Sequence, residues 1–247
     1  MSSEPSPTRR PIGSLRVSTV ALVGVVAAIA VPAGAAALVM SGSLDDKQAQ
    51  QKITQAGPVT KVVVSDWDST VHITADPTLI GVTGRAILTW HSFQGNHPVS
   101  VQEQYANGVL TLTKVCDGAC GGADIDIQVP VAASVQVTTS NAGIDVAGVT
   151  GTVDLNDANA GISAQRLGSG TASMHTSNAE IKASFLGAPT TITAETSNSR
   201  VTITTDGRTP YYDDVTTDGS SYQQNVQDRR SANVIKVTTS NADVTIK

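Results

Sequence analysis

The sequence predicts an all-β fold, a single-stranded right-handed parallel β-helix or β-solenoid with turns of about 20 residues, preceded by one N-terminal transmembrane α-helix. Three observations carry that expectation: a Thr-Ser-Asn motif that recurs through the second half, apolar residues at alternate positions around each copy, and one long uncharged run near the N-terminus. The composition agrees. Aromatics make up 3% of the 247 residues while 40% are hydrophobic, so the core must be built from Val, Ile and Ala, which suit thin pleated sheets.

Residues 1–16 read as a short cytoplasmic tail. From Val17 to Met40 there are 24 positions without a charge, enough to cross a hydrocarbon core at about 1.5 Å per residue. Arg9, Arg10 and Arg16 precede the run and Asp45 and Asp46 follow it, so the positive-inside rule puts the N-terminus in the cytoplasm and everything after about residue 41 outside. Cleavage of a signal peptide at the small residues Ala33-Gly34-Ala35 is the competing reading, and it exports the same remainder. Residues 41–57 are polar, end at Pro58 and read as a linker. Setting aside Glu4, Arg9, Arg10 and Arg16, the exported part holds 13 basic and 20 acidic residues, a balance of −7 that speaks against nucleic acid as a partner.

Residues 58–130 read as an N-terminal β region: short strands at Lys61–Val64, Thr70–Thr74, Arg85–Trp90, Val99–Glu103, Val109–Lys114 and Asp124–Val129, bounded by turn residues. Asn107-Gly108 predicts a tight hairpin, because both residues tolerate positive φ. Residues 131–247 hold the repeat. Aligned on its turn, it has six anchors, Asn141, Asn159, Asn178, Asn198, Gly219 and Asn241, which by subtraction are 18, 19, 20, 21 and 22 residues apart. Asn and Gly share a column, which predicts a left-handed backbone where the chain bends between two strands. Stacked turns would bring the amides to about 4.8 Å, close enough for a hydrogen-bonded ladder, with a Thr column beside it.

Three residues past the anchors stand Ile144, Ile162, Ile181, Val201, Tyr222 and Val244; four before them stand Val137, Leu155, Met174, Ala194, Val215 and Val237. These columns are predicted to face inwards, since side chains alternate across a strand. Right-handed crossovers dominate between parallel strands, which sets the predicted hand.

The segments Val135-Gln136-Val137-Thr138-Thr139-Ser140-Asn141, Ile144-Asp145-Val146-Ala147-Gly148 and Val237-Thr238-Thr239-Ser240-Asn241-Ala242-Asp243-Val244-Thr245-Ile246 resemble the bacterial "putative adhesin" family of β-strand-repeat proteins, DUF4097, over residues 59–247. The chain departs from that family's pattern in carrying Ala142, Ala160, Ala179 and Ala242 where Gly usually follows the Asn. The resemblance implies a parallel β-helix or β-roll on the cell surface, sometimes tied to envelope stress, without catalytic residues.

Candidate chemistry is sparse. Cys116 and Cys120 are the two cysteines, with three residues between them on the exported side, and predict a disulfide. Asp66 and Asp68 flank Trp67 in the order of a glycosidase's paired carboxylates beside a sugar-stacking ring, but in a strand the acids share one face and the ring takes the other. His72, His91, His97 and His175 share no motif. The sequence therefore assigns no catalytic, cofactor-binding or metal residue, and no cofactor. The expected function is a membrane-anchored, single-pass, extracytoplasmic module of adhesive or structural kind, meeting a protein or envelope-glycan partner. A carbohydrate-active enzyme or sugar-binding module is the alternative, and a stress sensor working through a membrane partner is a third reading.

Overall fold

β-Branched residues at alternate positions dictate strands with one buried face, and such strands dominate the protein. The computed structural model describes residues 46–65, 68–91, 99–116 and 121–247; the apolar run 17–40 lies outside them. Among the described residues every regular element is a strand, and none forms a helix long and apolar enough to cross a membrane. In chain order they are β1 (Asp46–Gln55), β2 (Lys61–Ser65), β3 (Val71–Asp76), β4 (Val82–His91), β5 (Ser100–Ala106), β6 (Val109–Val115), β7 (Gly122–Pro130), β8 (Ser134–Thr138), β9 (Ile144–Ala147) and β10 (Val153–Asp157). They continue as β11 (Ile162–Leu167), β12 (Ala172–Thr176), β13 (Ile181–Phe185), β14 (Thr191–Glu195), β15 (Val201–Thr204), β16 (Tyr212–Thr216), β17 (Ser221–Gln223), β18 (Val234–Thr238) and β19 (Val244–Ile246).

The strands form two sheets. From β8 onwards successive strands alternate between them, and the pairing within each sheet is parallel, so one strand from each sheet makes a layer. The layers run β6/β7, β2/β3, β8/β9, β10/β11, β12/β13, β14/β15, β18/β19, β16/β17. Spatial and sequence order therefore disagree at both ends. The earliest layer, β2/β3, lies inside β6/β7, and the last, β18/β19, lies inside β16/β17.

The N-terminal end departs from parallel pairing. β1 pairs antiparallel with β4, and β4 with β7. The Asn107-Gly108 hairpin joins β5 to β6 with φ of 53° and 80°, as its dipeptide predicts. Residues 46–55, expected as linker, are instead the edge strand β1. Their polar sequence hides a short inward set, Ala49 and Ile53, which are buried. Between them Gln51 reaches the other sheet, its Nε2 donating to Val101 O at 2.5 Å and its Oε1 accepting from Val101 N at 2.9 Å. A single amide thus replaces a pair of ladder bonds where β1 and β5 belong to different sheets.

The inward columns are buried as expected at every layer but one. Val137, Leu155, Met174, Ala194 and Val237, with Ile144, Ile162, Ile181, Val201 and Val244, are almost fully enclosed. Tyr222, however, is 54% exposed. Val215 pairs with Val237 but Ser221 pairs with Val244, so the bend holds five residues between those partners rather than six. One residue fewer reverses the parity of β17 and turns its side chains to the other face.

The outer layer β16/β17 closes the core with polar groups. Asp213 lies in register with the buried Ile235, and Gln223 with Ile246. Asn225 Nδ2 donates to Asp213 Oδ1 at 3.1 Å, whereas Asp213 Oδ2 and Asn225 Oδ1 are buried without a hydrogen bond. Burial pushes the Asp213 carboxyl above its ordinary range, partly offset by the Asn225 bond. A carboxyl raised in the fold adds stability below its unfolded pKa and loses it as pH rises through the folded value. Asp213→Asn is accordingly expected to have a higher denaturant midpoint than the parent at pH 7, with the two midpoints converging towards about pH 4.

Candidate functional site: the asparagine ladder and its open end

Each bend between the two sheets presents its anchor residue to solvent, and parallel registry places like residues above one another. Asn159 Nδ2 donates to Asn141 Oδ1 at 2.8 Å, Asn178 to Asn159 at 2.9 Å, Asn198 to Asn178 at 2.9 Å and Asn241 to Asn198 at 2.9 Å. Five of the six anchors are thus joined in one ladder. Gly219 is not, because Asn241 occupies the position next to Asn198 that a sequential stack would assign to it.

At the other end Asn141 Nδ2 donates to Asp68 Oδ1 at 2.6 Å. Asp68 is the anchor of the β2/β3 layer, four residues after Val64 and three before Val71, the same spacing as Val137-Asn141-Ile144. That spacing was the signal by which the sequence could have revealed it. Asp66 and Trp67 lie outside the described residues.

The left-handed backbone expected at the anchors is absent. Positive φ outside glycine occurs among the described residues at Asn107 and Arg166, neither an anchor, and Gly219 does not have it either. Asn is used here for its amide, which donates and accepts along one line, and not for its backbone freedom. Gly219 is required for space: a Cβ there would lie 2.5 Å from the Ala242 carbonyl oxygen.

Behind the ladder runs the expected Thr column. Thr176, Thr196, Thr239 and Thr217 donate to carbonyls of the bend in the adjoining layer, at 2.7–3.3 Å, and the first three are buried. Asp157 replaces Thr in this column and is wholly buried. Its carboxylate accepts from Asn159 N at 2.7 Å, from Ala160 N and from the Thr139 hydroxyl.

With backbone strain removed from the argument, the ladder bonds alone set the expected cost of breaking it. Asn178→Val removes one donated and one accepted bond and is expected to lower stability by about 1–2 kcal/mol. Glu180→Val gives up only a part-exposed pair with Lys182 Nζ at 2.9 Å and is expected to stay within about 0.5 kcal/mol. Denaturant midpoints of the two variants test this; equal shifts would remove the ladder from the stability account.

Two residues past the anchors lies a third column, Gly143, Gly161, Glu180, Arg200 and Asp243 in spatial order, linked by backbone bonds from each following strand. Its charged members, with Asn198, Ser199, Gly219, Asn241 and Ala242, line a groove of about 450 Å³ at the end of the ladder. Both carboxylates are engaged, Glu180 with Lys182 and Asp243 Oδ1 with Ser220 N at 2.9 Å. The exposed Arg200 guanidinium makes no hydrogen bond or ion pair among the described residues.

The remaining sequence candidates do not converge. His72 pairs with Asp145 at 3.4 Å and His175 with Glu195 at 3.7 Å, in different sheets, and His97 lies outside the described residues. Among the described residues no three His, Cys, Asp or Glu side chains are grouped to hold a metal. Cys116 follows β6 and packs against the core, while Cys120 lies outside the described residues.

No family model matches the chain, and no curated protein matches it. Among solved structures it is similar to a "putative cell adhesion protein" from Clostridium sporogenes, at 10% identity over 81% of this chain and 99% of that one, with a TM-score of 0.44. It is also similar to a "putative adhesin" from Bacteroides fragilis, at 10% identity over 81% and 96% with a TM-score of 0.47, and to one from Parabacteroides distasonis, at 16% over 81% and 97% with a TM-score of 0.35.

Proposed function

We propose that the chain is a single-pass bacterial membrane protein whose residues 41–247 form an extracytoplasmic right-handed β-solenoid, acting as an adhesin-like interaction or structural module of the envelope. The observation that carries this reading is the stack itself: two sheets, parallel from β6/β7 to β16/β17, whose outward columns are polar and whose bends are tied by a continuous amide ladder. Such a body offers long regular faces and holds its shape through contacts between neighbouring layers. The apolar run 17–40 supports the anchor, and only residues 41–45 separate it from β1.

Proteolysis of intact cells tests the topology. Digestion of the ectodomain before lysis is the expected result; protection until lysis, or a mature N-terminus near Ala36, would remove the orientation or the anchor respectively. Binding of the full chain to isolated envelope fractions, lost when the outward columns are recharged, tests the interaction role. In this compartment Cys116 and Cys120 are proposed to be bonded, and are expected to resist alkylation until a reductant is added. The short loop limits the bond's contribution to roughly 2 kcal/mol.

A further inference from the structure

We infer that the groove at the open end of the ladder is a binding site for an uncharged, hydroxyl-rich ligand, that is, a neutral glycan. This deepens the interaction-module reading and rests on it. The argument starts from the direction of the ladder. Every Asn donates towards Asp68, so five amide dipoles are aligned, with their positive ends facing a carboxylate and their negative ends facing the groove. The last acceptor, Asn241 Oδ1, receives no hydrogen bond among the described residues, because the neighbouring position holds Gly219, which can carry no side chain there. The groove therefore ends on a polarised acceptor that calls for a donor.

The same groove is lined by Arg200, whose guanidinium is a planar fork of five donors without a partner among the described residues. Glu180 and Asp243 flank it, each with lone pairs to spare beyond its one bond. The charged lining is Glu180, Arg200 and Asp243, a formal balance of −1 that Lys182, paired with Glu180 outside the groove, brings to zero, so the site has no positive field to attract phosphate, sulfate or a polyanion and its two carboxylates repel them. No aromatic or large apolar side chain lines it, which disfavours lipid or an apolar peptide. Closely placed donors and acceptors without net charge are the complement of adjacent sugar hydroxyls, each of which donates and accepts. Lacking a stacking ring, the site should bind in the millimolar range.

The test uses the full chain in phospholipid nanodiscs, free of sugar detergents, and saturation-transfer NMR titrations with N-acetylchitotetraose, maltotetraose, tetragalacturonate and inorganic phosphate. The expected result is saturable binding of at least one neutral tetrasaccharide, weakened about tenfold or more in Arg200→Gln and in Asn241→Ala and unchanged in Lys236→Gln on the far sheet. An unchanged unfolding midpoint in Arg200→Gln, and a cooperative transition in Asn241→Ala lowered by no more than its one lost ladder bond, would show that both variants retain the fold. Binding by neither neutral tetrasaccharide, preference for tetragalacturonate or phosphate, or undiminished affinity in Arg200→Gln would each overturn the inference. Because the readout does not depend on where the protein resides, its failure leaves the topology and envelope-binding tests to be judged separately.

Discussion

Asp157→Ala is expected to lower stability by about 3–4 kcal/mol, while Asp157→Thr costs about 1 kcal/mol. The carboxylate lies fully inside the molecule and satisfies three donors: two backbone N–H groups of its own bend and the Thr139 hydroxyl of the layer before. Alanine would leave buried N–H groups with no acceptor, each costing about 1–3 kcal/mol, and a small void besides. Threonine is what the other layers of residues 131–247 place there, as Thr139, Thr176, Thr196, Thr217 and Thr239. Thr217 shows how it serves, donating to Ala242 O at 2.7 Å while accepting from Gly219 N at 2.9 Å. A hydroxyl at 157 could thus take over at least one of the bonds and donate towards the Ala142 carbonyl. Urea or guanidinium titrations of the two variants decide the matter; similar losses in both would mean that burial of the charge, and not satisfaction of the bend, governs this position.

Ile246, in β19, should behave as a central core residue. Ile246→Ala is expected to cost about 2–5 kcal/mol, as for truncation of a buried aliphatic side chain. Its relative exposure is 0%, and β19 is paired on both sides, with β15 and with β17. Lys247 is tied down too, its N donating to Ile203 O and its carbonyl accepting from Thr205 N. Tyr222→Ala, in the column that sequence alignment assigned to Val244, is expected to stay within about 0.5 kcal/mol because that side chain faces solvent. Removal of residues 244–247 tests the same position: a loss exceeding that of Ile246→Ala follows from the interior place of β19, whereas a near-neutral truncation would contradict it.

Much of the fold was legible because period-two alternation and one recurring bend carry most of it. The strands around Val62, Ile73, Leu112 and Ile127 were placed by alternation, and the ladder from Asn141 to Asn241 by spacing. The order of the outer layers was not legible, since anchor spacings of 21 and 22 residues are equally compatible with sequential stacking and with a bend that reaches back past its neighbour. Tyr222 was misplaced by a single missing residue, a difference that reverses every side chain in a strand yet hardly disturbs an alignment. β1 was missed because Ala49 and Ile53 are too few to show alternation against Lys47, Gln48, Gln50 and Lys52. Of the groove, Arg200 could not be recognised at all: its neighbours Glu180 and Asp243 come from layers 20 and 43 residues away, and only the insertion of β18/β19 brings Asp243 beside it.

That insertion dictates the course of folding. A repeat stack whose spatial order follows its sequence can zip forward, each new layer docking on the last as the chain emerges. Here zipping can proceed through β14/β15 and must then wait. β16 and β17 are complete before β18 exists, but their only partners in the sheets are β18 and β19. The segment 205–233 must remain undocked until β18 and β19 have been made, after which two layers close together in one step. Pairing across such a loop requires its closure entropy to be met before any contact forms, which slows the step. The slowest phase of refolding should therefore report on the C-terminal end, and a chain released a few residues short would keep that end open.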